Sequence, residues 1–133
     1  MCGILITIPS SDSMTFKKSL DTLFHRGPDG YGIEHIKSDI SLGHRRLSIL
    51  DISNGKQPMF DISGRYCIVF NGEIYNYLEI KGELEKKGYA FNSSSDTEVI
   101  LNSYIEWGDK CVNKFNGMWA FSIWDNLNKE LFL

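Results

Sequence analysis

The sequence predicts an α+β domain with enough strands for two sheets. Three observations predict it. Short apolar runs recur at residues 3 to 8, 66 to 70, 118 to 124 and 130 to 133, set between Gly, Pro, Asn and Asp turn signals, which is strand patterning. Three other stretches carry apolar residues at helical spacing. With 133 residues, the chain is long enough for one ordinary core.

Gly3-Ile4-Leu5-Ile6-Thr7-Ile8 is a near-continuous apolar run, expected as a strand buried on both faces. Pro9-Ser10-Ser11-Asp12-Ser13 is a turn. Phe16, Leu20, Leu23 and Phe24 follow i, i+4, i+7, i+8 spacing, a helix entered through Asp12 or Ser13. It stops at His25-Arg26-Gly27-Pro28, because the residue before a proline disfavours helix. Residues 39 to 50 hold strand-like stretches around Leu42 and at Leu47-Ser48-Ile49-Leu50, followed by turn signals at Asn54-Gly55 and Ser63-Gly64.

Tyr66 to Phe70 is a strand, which Asn71-Gly72 is expected to break. Tyr77, Ile80 and Leu84 mark a short helix closed at Lys87-Gly88. Ser95-Asp96-Thr97-Glu98 has capping-box spacing and opens a helix carrying Val99, Ile100, Leu101, Tyr104 and Ile105. Met118 to Trp124 is a strand. Asp125-Asn126-Leu127-Asn128 turns into a last strand, Glu130 to Leu133. No repeat, low-complexity tract or linker interrupts the pattern.

Hydrophobic content of 42% and charged content of 23% are those of a soluble globular protein. A net charge of −3, with Lys and Arg scattered, gives no electrostatic reason to expect nucleic acid. No apolar run approaches membrane-spanning length, and the N-terminal run lacks the basic leader of a signal peptide. Cys2, Cys67 and Cys111 are widely spaced and form no CxxC pair, which argues against a disulfide framework or zinc site and fits a reducing cytosol. Cys67 lies in an apolar run and reads as a core thiol. His25, His35 and His44 show no metal spacing and are assigned no catalysis.

Cys2 follows the initiator Met1. Cysteine is small enough for Met1 to be trimmed, which leaves a thiol and a free α-amine on one carbon. The thiol is a potential nucleophile and the amine a built-in base. Unperturbed, their pKa values are about 8.5 and about 7.7 to 8.0, so near neutral pH the amine can accept the thiol proton. If Met1 is retained, that amine is a peptide nitrogen and the base is lost. On position alone, Cys2 also reads as a small apolar residue opening a strand.

Five segments stand together in order: Met1-Cys2-Gly3-Ile4, Arg26-Gly27-Pro28-Asp29-Gly30, Gly43-His44-Arg45-Arg46-Leu47-Ser48-Ile49, Phe70-Asn71-Gly72-Glu73-Ile74-Tyr75-Asn76 and Ser95-Asp96-Thr97-Glu98. The set resembles the glutaminase domain of the glutamine-hydrolysing asparagine synthetases, which are class II (N-terminal nucleophile) glutamine amidotransferases. The likeness runs over essentially the whole chain. Relatives that make glucosamine 6-phosphate or phosphoribosylamine share the N-terminal Cys but replace the second, third and fourth of these segments.

The resemblance implies a four-layer αββα sandwich, two mainly antiparallel sheets between helices. It implies Cys2 as the nucleophile and its amine as general base. Asn71, through its side-chain amide, and Gly72, through its N–H, match an oxyanion hole; alone, that pair reads as a hairpin turn. Arg46 matches the arginine that grips the glutamine α-carboxylate, with Leu47, Ser48, Ile49 and Leu50 along the pocket edge. Arg45, on the opposite strand face, is expected to be solvated. Asp96 matches the partner of the α-ammonium, Glu73 a pocket residue acting through its backbone, and Arg26 to Gly30 a loop covering the site.

The implied chemistry hydrolyses the glutamine side-chain amide to glutamate and ammonia through a Cys2 thioester. The implied partners are L-glutamine and a synthetase domain or subunit receiving the ammonia. ATP and Mg²⁺ belong to that synthetase part, and no cofactor is expected in these residues. The resemblance further implies that residues 1–133 are a C-terminally incomplete glutaminase domain, in a cytoplasmic protein that could form a homodimer. Two other readings stay open: a glutaminase serving a sugar acid or other carboxylate in surface-polysaccharide synthesis, and a non-catalytic fragment that binds glutamine or a partner.

Overall fold

The computed structural model describes residues 2–47 and 55–133. Among them run strands β1 (Gly3–Thr7), β2 (Gly30–Ile36), β3 (Ile40–Arg46), β4 (Met59–Phe60), β5 (Tyr66–Ile74), β6 (Gly117–Asp125) and β7 (Glu130–Phe132). The helices are α1 (Ser13–Asp21), α2 (Tyr77–Lys86) and α3 (Asp96–Trp107). The strands form two antiparallel sheets, ordered β1-β3-β2 and β4-β5-β6-β7.

Alternation along the strands builds the layers. Ile40 and Leu42 of β3 and Ile36 of β2 meet Cys67 and Val69 of β5 and Trp124 of β6, with Ile4 and Ile6 of β1 packed against them. This is the layer between the sheets. The other face of the second sheet presents Ile68, Phe70, Ile74, Phe121 and Ile123 to Ile80 and Leu84 of α2 and to Val99, Ile100 and Leu101 of α3. Beneath the first sheet, Phe16 and Leu20 of α1 are buried against Gly43, where a Cβ would come within 2.8 Å of the Phe16 ring. Glycine there lets α1 approach, and each buried Phe or Leu contributes about 1.5–3 kcal/mol. The result is the αββα order that the resemblance implies.

The expected caps form, with one change of partner. Asp12 accepts from Thr15 N–H at 2.9 Å and starts α1. Ser95 accepts from Glu98 N–H at 3.4 Å and starts α3. Glu98 does not close the reciprocal half of the box. Its carboxylate accepts from Asn92 N–H at 2.9 Å and Ser93 N–H at 2.7 Å, fastening the preceding loop.

Several expectations are corrected. β1 is not buried on both faces: it is an edge strand, half-buried after Gly3, and β3 is the buried centre. α1 ends at Asp21, and Leu23 and Phe24 lie beyond it, Phe24 exposed in a 3-10 turn over Phe24–Arg26. β3 ends at Arg46, so Leu47 lies past it; Ser48, Ile49, Leu50 and Asn54 fall outside the described residues. Asn71-Gly72 does not break β5, which pairs on through Asn71↔Ala120 and Gly72↔Trp119 to Ile74↔Gly117. A Cβ on Gly72 would stand 2.2 Å from Met118 O, so the glycine answers a close backbone approach inside the sheet.

Candidate active site

The alternation that fills the middle layer also assembles the site. Continuing the inward-facing positions of β1, β3 and β5 past their apolar residues reaches Cys2, then His44 and Arg46, then Asn71 and Glu73. All five come to one end of the inter-sheet layer. A cleft of about 230 Å³ opens there, its walls including Cys2, His44, Arg46, Leu47, Gln57, Gly72, Glu73 and Asp96. The Cys2 thiol is half-buried; its Sγ accepts from Leu47 N–H at 3.3 Å, which ties the head of β1 to the end of β3. Burial pushes the Cys111 thiol up to about 11 and the Cys67 thiol higher still, so neither supplies thiolate near neutral pH.

β5 presents an open edge to this cleft. Tyr66, Ile68, Phe70, Gly72 and Ile74 turn their peptide groups away from β6, and β4 covers that edge only at Cys67 and Ile68. Other groups meet Tyr66, Phe70 and Ile74. Asp61 accepts from Tyr66 N–H at 2.7 Å, and Asp96 Oδ2 accepts from Ile74 N–H at 3.1 Å. Gln57 Oε1 accepts from Phe70 N–H at 2.6 Å, while His44 Nε2 lies 3.2 Å from Phe70 O. A carbonyl only accepts, so His44 donates through Nε2–H. Between these, the same alternation aims Gly72 N–H at the edge where no strand of the described residues stands, on the cleft wall. The Asn71 side-chain oxygen is buried without a hydrogen-bond partner. Asn71 itself adjoins the cleft through Gly72 rather than lining it.

Charge enters from three layers, Glu73 of β5 among them. Arg46 comes from β3, and Asp96 from the first turn of α3, where the helix dipole favours a carboxylate. Burial raises the Asp96 carboxyl above the usual carboxylate range, opposed by the bond from Ile74 N–H. Burial likewise pushes His44 down to about 4, against the effect of its bond to Phe70 O. His44 is therefore a neutral imidazole at ordinary pH. Among the described residues, no three His, Cys, Asp or Glu side chains are placed to hold a metal ion.

Arg45 and Arg46 point to opposite sheet faces, as expected, but Arg45 is not solvated. It is buried, pairs with Asp21 of α1, and its guanidinium lies 5.1 Å from the Phe24 ring and 5.4 Å from the Tyr31 ring. The Arg26–Gly30 segment is not on the walls of that cleft, but Asp29 and Gly30 line an adjoining hollow with His44, Arg46 and Gln57. The segment also braces the end of β3: Asp29 N–H donates to Arg46 O at 3.0 Å, and a Cβ on Gly27 would meet Arg45 C at 2.3 Å. His44 and Gln57 are the residues that sequence reasoning missed. The alternation Leu42, His44, Arg46 could have found His44; no local signal marks Gln57.

The sequence profile of the glutamine amidotransferase domain family matches residues 1–133. The chain belongs to that family. The domain is 46% identical to asparagine synthetase [glutamine-hydrolyzing] 1 of Bacillus subtilis over 116 residues, 87% of this chain and 18% of that protein. It is 40% identical to asparagine synthetase [glutamine-hydrolyzing] 3 of the same organism, over 99% of this chain and 22% of that one. A rice relative, asparagine synthetase [glutamine-hydrolyzing] 2 of Oryza sativa subsp. japonica, is 40% identical over 98% of this chain and 22% of its own length. The domain thus spans about a fifth of the curated relatives it matches. The solved glutamine phosphoribosylpyrophosphate amidotransferase of Bacillus subtilis superposes with a TM-score of 0.74 over 95% of this chain and 35% of that chain, at 20% identity, which shows a shared fold.

Proposed function

We propose that this domain hydrolyses the side-chain amide of L-glutamine through a thioester on Cys2 and supplies the ammonia to an ATP-dependent synthetase domain or subunit. One observation carries the reading: a half-buried thiol stands on the same cleft as Gly72, an arginine and a buried carboxylate. Glutamine presents matching groups. Its α-carboxylate suits Arg46, its α-ammonium suits Asp96, and its carboxamide carbon is left for the thiol. The relatives' names support an asparagine synthetase-type acceptor reaction.

With Met1 removed, the α-amine of Cys2 takes the thiol proton as sulfur attacks the carboxamide carbon. A C–S bond forms and the carbonyl oxygen becomes an oxyanion, met by Gly72 N–H and the Asn71 amide. The oxyanion collapses, the C–N bond breaks, and the proton held by the amine leaves with the nitrogen as ammonia. Water then adds to the thioester, the C–S bond breaks, and glutamate and the thiol are released. One missing oxyanion donor costs about 10² to 10³ in rate.

The test is glutamate release from glutamine by protein whose intact mass shows Met1 removed. Turnover by the parent, with none above background in Cys2→Ala, is the expected result. Equal turnover in both, or in protein retaining Met1, contradicts the mechanism.

A further inference from the structure

We infer that His44 and Gln57 are positioning residues that together clamp the Phe70 peptide and so hold the Asn71-Gly72 donors in place for the oxyanion; this rests on the glutaminase reading above. The observation is a gap in the sheet among the described residues. Every second peptide of β5 faces the edge that β4 should cover, but β4 is two residues long and stops opposite Ile68. The next such peptide, Phe70, lies directly before the proposed donors. It is held at both polar atoms by side chains from two other places, the segment before β4 and β3. Gln57 Oε1 takes the N–H at 2.6 Å, and His44 Nε2–H reaches the C=O at 3.2 Å across the inter-sheet gap. Gln57 is in turn fixed by Nε2–H donating to Thr97 Oγ1 at 3.1 Å, in the first turn of α3.

Gln57 therefore ties β5 to the helix that carries Asp96, and His44 ties it to the strand that carries Arg46. Both side chains line the cleft, and the Phe70 ring is buried below. A strand edge without a strand partner is free to twist. Two side-chain bonds to one peptide replace the missing ladder, at the step where a shift of about 1 Å can cost about 10² in rate. The clamp works on the peptide rather than the substrate, so it acts on the chemical step more than on glutamine binding.

The test uses the protein with Met1 removed and the variants His44→Leu, Gln57→Leu, their combination, and His44→Gln, which offers an amide N–H in place of Nε2–H. The Leu variants should lose about 10- to 100-fold in kcat, with KM for glutamine within about threefold. The double variant should be little worse than the poorer single, because both act on one peptide. His44→Gln should recover most of the loss. Alkylation of Cys2 by iodoacetamide, which forms no oxyanion, should stay within about twofold. Unchanged kcat, or kcat and alkylation falling together, overturns the clamp. If the Leu variants do not fold, nitrogen NMR of the parent decides: an Nε2–H tautomer at His44 and a slowly exchanging Phe70 amide are required, and an Nδ1–H tautomer or a fast Phe70 amide overturns the inference. A parent that releases no glutamate would sink the glutaminase reading while leaving the tautomer and exchange results readable.

Discussion

The layer between the sheets has two ends made by the same strands, and they are filled differently. At one end Ile4, Ile6, Leu42, Cys67, Val69 and Trp124 close on one another. Two to four residues further along β3 and β5, and at the head of β1, the same inward positions hold Cys2, His44, Arg46, Asn71 and Glu73, and a cleft opens. The apolar end closes on its own side chains and leaves one buried polar atom, Trp124 Nε1, without a partner. The polar end leaves His44 Nδ1 and Asn71 Oδ1 buried without partners. Unmet polar atoms lower stability, by about 1–3 kcal/mol for a buried group. The apolar end carries the folding energy, and the polar end uses the rigidity this provides.

The two cysteines of this layer give the sharpest break between its ends. Cys2→Ala should lower glutamine hydrolysis by at least about 10³-fold without lowering the melting temperature much, since loss of a nucleophile removes the covalent route. Cys67→Ala should do the reverse: about 1 kcal/mol of stability lost to a small cavity, and turnover retained. Glutamate release and urea midpoints on both variants check this, and equal activity losses would erase the distinction.

The neighbouring arginines sharpen it next. Arg46→Ala should weaken glutamine binding by about 2 to 5 kcal/mol, at least about 30-fold in KM, as expected when a paired charge in a cleft loses its partner. Arg45→Met should leave KM within a few fold and act on stability, because Arg45 packs between Phe24, Tyr31 and Asp21 on the far face. Comparable KM shifts in the two would mean that the faces of β3 are misassigned.

The pH dependence of stability separates the ends again. His44 titrates near 6.5 when unfolded and at about 4 when folded. Between those values the unfolded chain binds a proton that the folded one refuses. Its contribution is fully present above about pH 6.5 and is lost as pH falls toward about 4, roughly 3 kcal/mol over the window. Urea midpoints of the parent minus those of His44→Gln should fall across that range; a flat difference would mean that His44 is not held neutral by burial. A smaller effect belongs to the half-buried flank of α1. Lys17→Met removes an i,i+4 pair to Asp21 and should move the same midpoints only slightly.

What could be read from sequence was what neighbours in the chain determine. The Asp12 cap, the Ser95 cap, the apolar stripe of α3 and the strand over Met118 to Trp124 all follow from local spacing. β2 did not, because its two glycines look like breakers; Gly32 is required by Gln57, whose carbonyl would stand 2.0 Å from a Cβ there. Gly72 looked like a turn for the same reason, its demand being set by the β6 backbone. The burial of Arg45 depends on Asp21, Phe24 and Tyr31, which only the fold brings to it. The candidate site was legible as a set of residues through resemblance. The clamp at Phe70 was not, since Gln57 reaches it only because β4 ends early.

We propose that the polar end binds glutamine with its carboxamide carbon at the Cys2 sulfur. The most direct measurement is the intact and peptide mass of the Met1-free protein after exposure to a glutamine-like chloroketone, with and without excess glutamine. One adduct per chain is expected, on Cys2 alone, suppressed by glutamine and absent in Cys2→Ala. Labelling of Cys67 or Cys111 in the folded protein, or labelling of Cys2 that glutamine does not slow, would contradict it.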